Sequence, residues 1–173
     1  MTGCALRHPA KSFDQALGHP ASLSLQVNLA ARANDDSVVR FDVVAVDDKS
    51  LEKTISKMDA ASWFSAGDKG RCSYRGGPKA RVQFYSWELV PGQTFHLDVP
   101  TGAKARAVFG FADYSTSGMH RIALLTSGYE AVEMSEQGVH ALLKPPAMNP
   151  AVPVAKEMTD VCPDDPSSPS SSQ

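Results

Sequence analysis

Five histidines, at positions 8, 19, 96, 120 and 140, are the first place to look for chemistry in this 173-residue chain. A metal site needs several ligands converging from one or two elements, and these five stand apart from one another. His8 and His19 fall in a proline-bearing linker, and His96 alternates with Phe95 and Leu97, which predicts that it points to solvent. All five read as surface histidines. Cys72 has no second cysteine two to four residues away, so a zinc knuckle lacks its spacing. No phosphate loop, dinucleotide-binding glycine pattern or nucleophile elbow occurs. The adjacent Asp47 and Asp48 would point in different directions at a strand end, which suits helix capping better than acid–base work. Trp63, Tyr85 and Trp87 could stack on a sugar as exposed aromatics, or serve as core and helix-docking residues. No catalytic constellation is assembled, so neither an enzyme nor a bound cofactor or metal is expected.

The cysteines offer more. Thr2-Gly3-Cys4 matches the last three positions of the motif at which bacterial lipoproteins are cleaved and acylated, with Met1 tolerable at the first. Small residues there let the chain pass the peptidase, and the Cys4 thiol accepts the diacylglycerol. Acylation of Cys4 with palmitate-type chains leaves two of the three cysteines. In an oxidising compartment Cys72 and Cys162 can pair, closing a loop of about ninety residues worth about 4 kcal/mol in the chain-entropy description. Two acyl chains give firm attachment without a span. Ala5 after the cysteine, rather than Asp, is the enteric pattern that permits export to the outer membrane.

Composition fits this reading. Seventeen Lys and Arg against nineteen Asp and Glu give a formal charge of -2, so no basic field recruits nucleic acid. Unbroken apolar runs reach no further than the four residues of 43–46, far fewer than the roughly 20 of a membrane helix. Twelve prolines and twelve glycines disfavour a helical bundle and favour short elements joined by turns.

Those elements are legible from periodicity. In 22–29, Leu23, Leu25, Val27 and Leu29 alternate with Ser24, Gln26 and Asn28, the signature of a half-buried strand. The turn-rich 32–37 then leads into Val38 to Val46, which predicts a hairpin. Leu51, Ile55 and Met58 form a helical stripe capped by Asp47 or Asp48, with Lys49, Lys53 and Lys57 outside. The glycine-rich 67–78 reads as an irregular loop. Strand patterns resume at 81–89, where apolar residues switch parity and predict a bulge. Further strands are expected at 95–99 and 105–111, the latter with Ala105, Ala107, Phe109 and Phe111 inward, then at 122–125. A final hairpin pairs 129–134 with 139–143 across Ser135-Glu136-Gln137-Gly138. About eight short strands and one inserted helix predict an all-β, antiparallel sandwich. The expected organisation is a lipidation site and linker over 1–21, a sandwich domain over 22–144 and a Pro/Ser-rich C-terminal tail over 145–173.

Taken together, Cys4, the linker, the strand ending in Val27-Asn28-Leu29, the polar loop, Ser37-Val38-Val39-Arg40-Phe41, the short helix and the Glu88-Leu89-Val90-Pro91-Gly92 turn resemble the outer-membrane lipoproteins of type VI secretion systems, the TssJ-like family. The resemblance spans roughly residues 22–125. It implies a transthyretin-like sandwich with an added helix, held at the outer membrane by lipid and facing the periplasm. It also implies binding to the periplasmic part of a TssM-like inner-membrane protein through the loop joining the first two strands. Carried over, that loop is Arg32, Ala33, Asn34, Asp35, Asp36 and Ser37; the proline usual there in the family is absent. In a second reading the chain is a lipid-anchored periplasmic module that binds a carbohydrate or other small ligand through Trp63, Tyr85 or Trp87.

Overall fold

The computed structural model describes residues 21–75 and 81–158. Their strands are β1 (Ser22–Leu29), β2 (Val39–Val46), β3 (Val82–Leu89), β4 (Thr94–Pro100), β5 (Ala107–Asp113), β6 (Arg121–Leu124), β7 (Gly128–Ser135) and β8 (Gly138–Ala141). They form two four-stranded sheets, ordered β4-β1-β7-β8 and β3-β2-β5-β6, and the expected all-β sandwich is the fold observed. Between β2 and β3 lie α1 (Lys49–Ile55), α2 (Ala60–Ser65), α3 (Gly67–Cys72) and a 3₁₀ turn, Ser73–Arg75.

The first two strands are not a hairpin. β1 pairs with β4 antiparallel and with β7 in parallel, while β2 lies in the other sheet between β3 and β5. The 32–37 segment is therefore a crossover between layers. The single parallel pair also departs from a purely antiparallel arrangement. β7 and β8 form the expected last hairpin, with Ser135 opposite Gly138.

The inter-sheet core takes Leu23, Leu25, Val27 and Leu29 from β1, Val39, Phe41, Val43 and Ala45 from β2, and Trp87 and Leu89 from β3. A second apolar cluster covers the opposite face of the β3-β2-β5-β6 sheet: Val44, Val46, Val82, Phe84, Phe109 and Phe111 meet Ile55, Ala60 and Trp63 from the helices. This explains the parity switch in β3 without a bulge, since its register against β2 runs unbroken from Val39 opposite Leu89 to Val46 opposite Val82. Each face is covered along most of the strand, so apolar residues occur at both parities, and only Gln83 and Glu88 stay exposed. It also re-aims Phe109 and Phe111, which face the helical layer, leaving Val108 and Ala112 to the sandwich interior.

Three helices replace the one expected. Asp48 caps α1 by accepting from the Ser50 and Leu51 backbone N–H groups at 2.8 and 3.0 Å, and those bonds hold its carboxyl below the usual range. Asp59 caps α2 through the Ser62 N–H at 2.7 Å. At seven residues α1 is well below the roughly 12 that an isolated helix needs, so docking, through Ile55 buried in the second cluster, holds it. Lys49, Lys53 and Lys57 are exposed as the stripe requires. Residues 67–72, expected as loop, form α3.

One charge lies under the helices. Asp42 of β2 is fully buried and accepts from the Ser86 hydroxyl at 2.6 Å and the Trp63 indole N–H at 2.8 Å, with the Arg71 guanidinium at 3.3 Å. Arg71 is itself buried, its guanidinium 5.0 Å from the centre of the Phe64 ring. Burial raises the Asp42 carboxyl above its ordinary value of 3.8, against the opposing pull of Ser86, Trp63, Arg71 and Arg40. A carboxyl raised in the folded state binds its proton more tightly there than in the unfolded chain. Its contribution to stability is full below the unfolded value and is lost as pH rises through the folded value. The unfolding free energy of the parent minus that of Asp42→Asn is therefore expected to fall as pH rises from about 4 to 7 in urea titrations. Asp42→Ala, which removes the buried carboxyl that Ser86, Trp63 and Arg71 share, is expected to cost about 3–5 kcal/mol at neutral pH.

Candidate functional site

β1 fixes where the candidate loop sits. Its start is clipped by the Thr101 and Gly102 N–H groups, both donating to the Ala21 carbonyl at 3.0 Å. At its far end the Leu29 N–H donates to the Gln93 carbonyl and the Ala30 N–H to the Met134 carbonyl, each at 2.9 Å. Eight extended residues cover about 26 Å, so the chain enters the sandwich at one end and presents residues 32–37 at the other.

The loop is a tight 3₁₀ turn, Ala33–Asp36, in which Asn34, Asp35 and Asp36 all take left-handed backbone angles, φ 51°, 53° and 62°. Such angles disfavour ordinary side chains, and Asn and Asp tolerate them best. Asn34 holds the turn: its side-chain amide donates to the Val38 carbonyl at 3.1 Å, and its Oδ1 accepts from the Ser115 N–H at 2.7 Å. Ala33 and Asn34 are buried, whereas Arg32, Asp35, Asp36 and Ser37 are exposed. The six loop residues therefore divide into an anchor and a displayed surface. Arg32 is paired with Glu136 of the β7–β8 turn at 3.4 Å, which leaves Asp35 and Asp36 to set a negative tip.

Residues that the sequence reading left out complete this end. Val38 and Val90 follow directly on the last β2–β3 pair, Val39 opposite Leu89, and they are 49% and 46% exposed. Met119, 52% exposed, lies in the β5–β6 connection. Val90 carried a usable signal, being apolar at a Pro-Gly turn. His120 supports the end from within. Its ring stacks on Tyr114 at 4.6 Å and fills the space beside Gly118 and Gly138, where an added Cβ would come within 2.7 Å of the ring. Burial pushes the Tyr114 phenol up to about 12, and it donates to the Ser135 carbonyl at 2.9 Å.

The sugar platform is not built. Trp63 is buried against Phe111, 5.0 Å between ring centres, while Trp87 is buried in the core on the opposite face of the same sheet. Tyr85 packs against that core and donates to the Pro100 carbonyl at 2.8 Å. These rings cannot present one stacking surface. Two histidines also correct the surface reading: His96 and His120 are both buried. His96 is covered by residues 152–155, which pair with its backbone, and by the neighbouring Tyr129 ring. Periodicity along β4 could not reveal either cover. No cluster of three His, Cys, Asp or Glu able to hold a metal occurs among the described residues. Cys72 lies half-buried against the helix-side cluster; Cys4, Cys162, His8 and His19 fall outside the described residues.

Asn34→Ala removes both side-chain hydrogen bonds and leaves the Cβ at φ 51° without the contacts that offset its strain. It is expected to lower the unfolding free energy by about 2–4 kcal/mol. Asn34→Gly, which restores backbone freedom, should recover about 1 kcal/mol of that, and the Ser115 amide should exchange faster in both.

No family model matches the chain, and no curated protein matches it by sequence. Solved structures do match by shape. Lip of Serratia marcescens, a membrane-bound component of the type VI secretion system, aligns with 73% of this chain and 99% of its own at TM-score 0.57 and 16% identity. The type VI lipoprotein TssJ1 of Pseudomonas aeruginosa aligns with 73% of this chain and 98% of its own at TM-score 0.53 and 12% identity. A chain of a type VI membrane complex aligns over 70% and 98% at TM-score 0.56 and 14% identity. The sandwich is thus the fold of the type VI lipoproteins, as the sequence resemblance implies, and nearly the whole of each such chain has its counterpart here.

Proposed function

We infer that this chain is a TssJ-like lipoprotein of a type VI secretion membrane complex, and that it works as a tether. In this reading Cys4 carries the acyl chains at the outer membrane, and the 32–37 loop docks a TssM-like inner-membrane protein from the periplasmic side. The observation that carries it is a fold match covering 98–99% of the type VI chains, on a molecule whose chain entry and displayed loop lie at opposite ends of β1. One of the matched structures is that of the TssM C-terminal domain from EAEC, which supports the choice of partner. A tether needs polarity, with lipid at one end and protein at the other. β1 supplies it.

The displayed surface suits a protein partner. Asp35 and Asp36 stand beside exposed Val38, with Val90 on the neighbouring turn. Carboxylates next to apolar contact area favour a partner patch with basic residues around an apolar centre. A rigid turn loses little freedom on binding. No metal or cofactor enters this role, and tethering needs no catalysis. The Cys72–Cys162 bridge belongs to the same reading, because a periplasmic location would keep such a bond oxidised.

Asp35→Asn with Asp36→Asn, which removes both charges and keeps a residue type that tolerates the left-handed angles, is expected to weaken binding to a purified TssM-type C-terminal domain by about tenfold, read by calorimetry, with the thermal melt unchanged. Unaltered affinity would remove the loop from the interface. Intact mass of membrane-extracted protein should show Cys4 bearing diacylglycerol and a further acyl chain, and Cys4→Ser should release the protein to the soluble periplasmic fraction. An unmodified Cys4 thiol on the membrane-extracted protein would sink the anchor.

A further inference from the structure

Four strands end the two sheets, and they are unequal. β6 and β8 are four residues each and contact one another across one side of the sandwich. β3 and β4, the outer strands at the other end of each sheet order, are eight and seven residues long. A long open edge offers a row of unpaired N–H and C=O groups that another chain can extend.

The C-terminal segment lies along these long edges. Val154 bridges His96 of β4 in parallel: the His96 N–H donates to the Pro153 carbonyl, and the Ala155 N–H donates to the His96 carbonyl, both at 2.9 Å. Farther on, the Met158 N–H donates to the Ser86 carbonyl of β3 at 2.8 Å. Ala155 packs against the inter-sheet core and Met158 against the helix-side cluster, so the segment reaches both apolar layers. Its outer side is open, with Val154 66% exposed. The composition makes it a poor template for further pairing. Pro150 and Pro153 have no N–H to donate, and Pro153 sits at the bridge itself.

We propose that residues 149–158 are an edge guard: they stand in for an edge strand along β4 and β3 and keep a second copy of this chain from pairing onto β4. A second copy is the occupant that fits the bared edge, because an antiparallel β4–β4 pair is self-complementary about a two-fold axis. With His96 on that axis, Thr94 of one copy faces Asp98 of the other, and no like charges meet. The guard is independent of the docking loop, which lies beyond the far end of β1.

The test uses the full-length chain. Ala155→Glu, which forces a carboxylate against the core, should speed exchange of the His96 amide by about tenfold or more. It should also produce a concentration-dependent dimer in sedimentation that excess peptide spanning residues 149–158 returns to monomer. Met158→Glu, which removes the β3 anchor, should act in the same direction, and the parent should stay monomeric. Unchanged His96 exchange in both variants would overturn the proposal. So would rapid exchange with no dimer up to millimolar protein, a parent that dimerises equally, or loss of cooperative unfolding in both variants, since the segment would then be core and not guard.

Discussion

β2, in the middle of the β3-β2-β5-β6 sheet, is covered on both faces, and the rest of the molecule is arranged around that requirement. β2 carries Phe41 and Val43 into the space between the sheets and Val44 and Val46 toward the helices. Each such side chain is worth about 1.5–3 kcal/mol only when its face is covered. The other sheet covers one face. Three helices too short to stand alone cover the other, and Trp63 sits at their centre against Phe84 and Phe111. Asp42 belongs to the same constraint. A carboxylate beneath that layer is tolerable because Ser86, Trp63 and Arg71 all reach it, and in reaching it they bind β2, β3 and two helices at one point.

Placing β1 and β2 in different sheets has a consequence for the loop that joins them. A hairpin turn between neighbouring strands would be held on both sides by its own ladder. A crossover between layers has no such ladder, and its shape must come from side chains. Asn34 does this by bonding to Val38 on one side and Ser115 on the other, so three left-handed residues persist and two carboxylates are held out from the sandwich. The displayed chemistry of Asp35 and Asp36 is thus set by an asparagine that a partner would hardly touch.

Much of the fold was legible in the sequence because strands alternate with a period of two wherever one face is wet. β1 shows this cleanly, as does β4 through Phe95, Leu97 and Val99. The same signal misleads where both faces are dry: β3 looked bulged and β5 looked inward through Phe109 and Phe111, because apolar side chains at both parities do not tell a helical cover from a second sheet. His96 was misread for a related reason. It occupies the solvent parity of β4, and residues more than fifty positions later in the chain cover it. The loop was legible as a turn from Asn34, Asp35 and Asp36, whereas its division into anchor and surface depends on Ser115 and Glu136, which are remote in sequence.

By itself the sequence determined what is local: strand periods, a helix cap at Asp47 or Asp48, turn residues able to adopt left-handed angles, and the absence of any apolar run long enough to span a membrane. These follow from neighbouring residues and from backbone sterics. Tertiary structure alone decided which strands became partners, that β1 and β2 would part into different sheets, that Trp63 and Trp87 would be buried on opposite faces of one sheet, and that the C-terminal segment would lie on β4. Each of these depends on the free energy of covering surfaces that belong to distant parts of the chain, and that free energy has no period along the sequence.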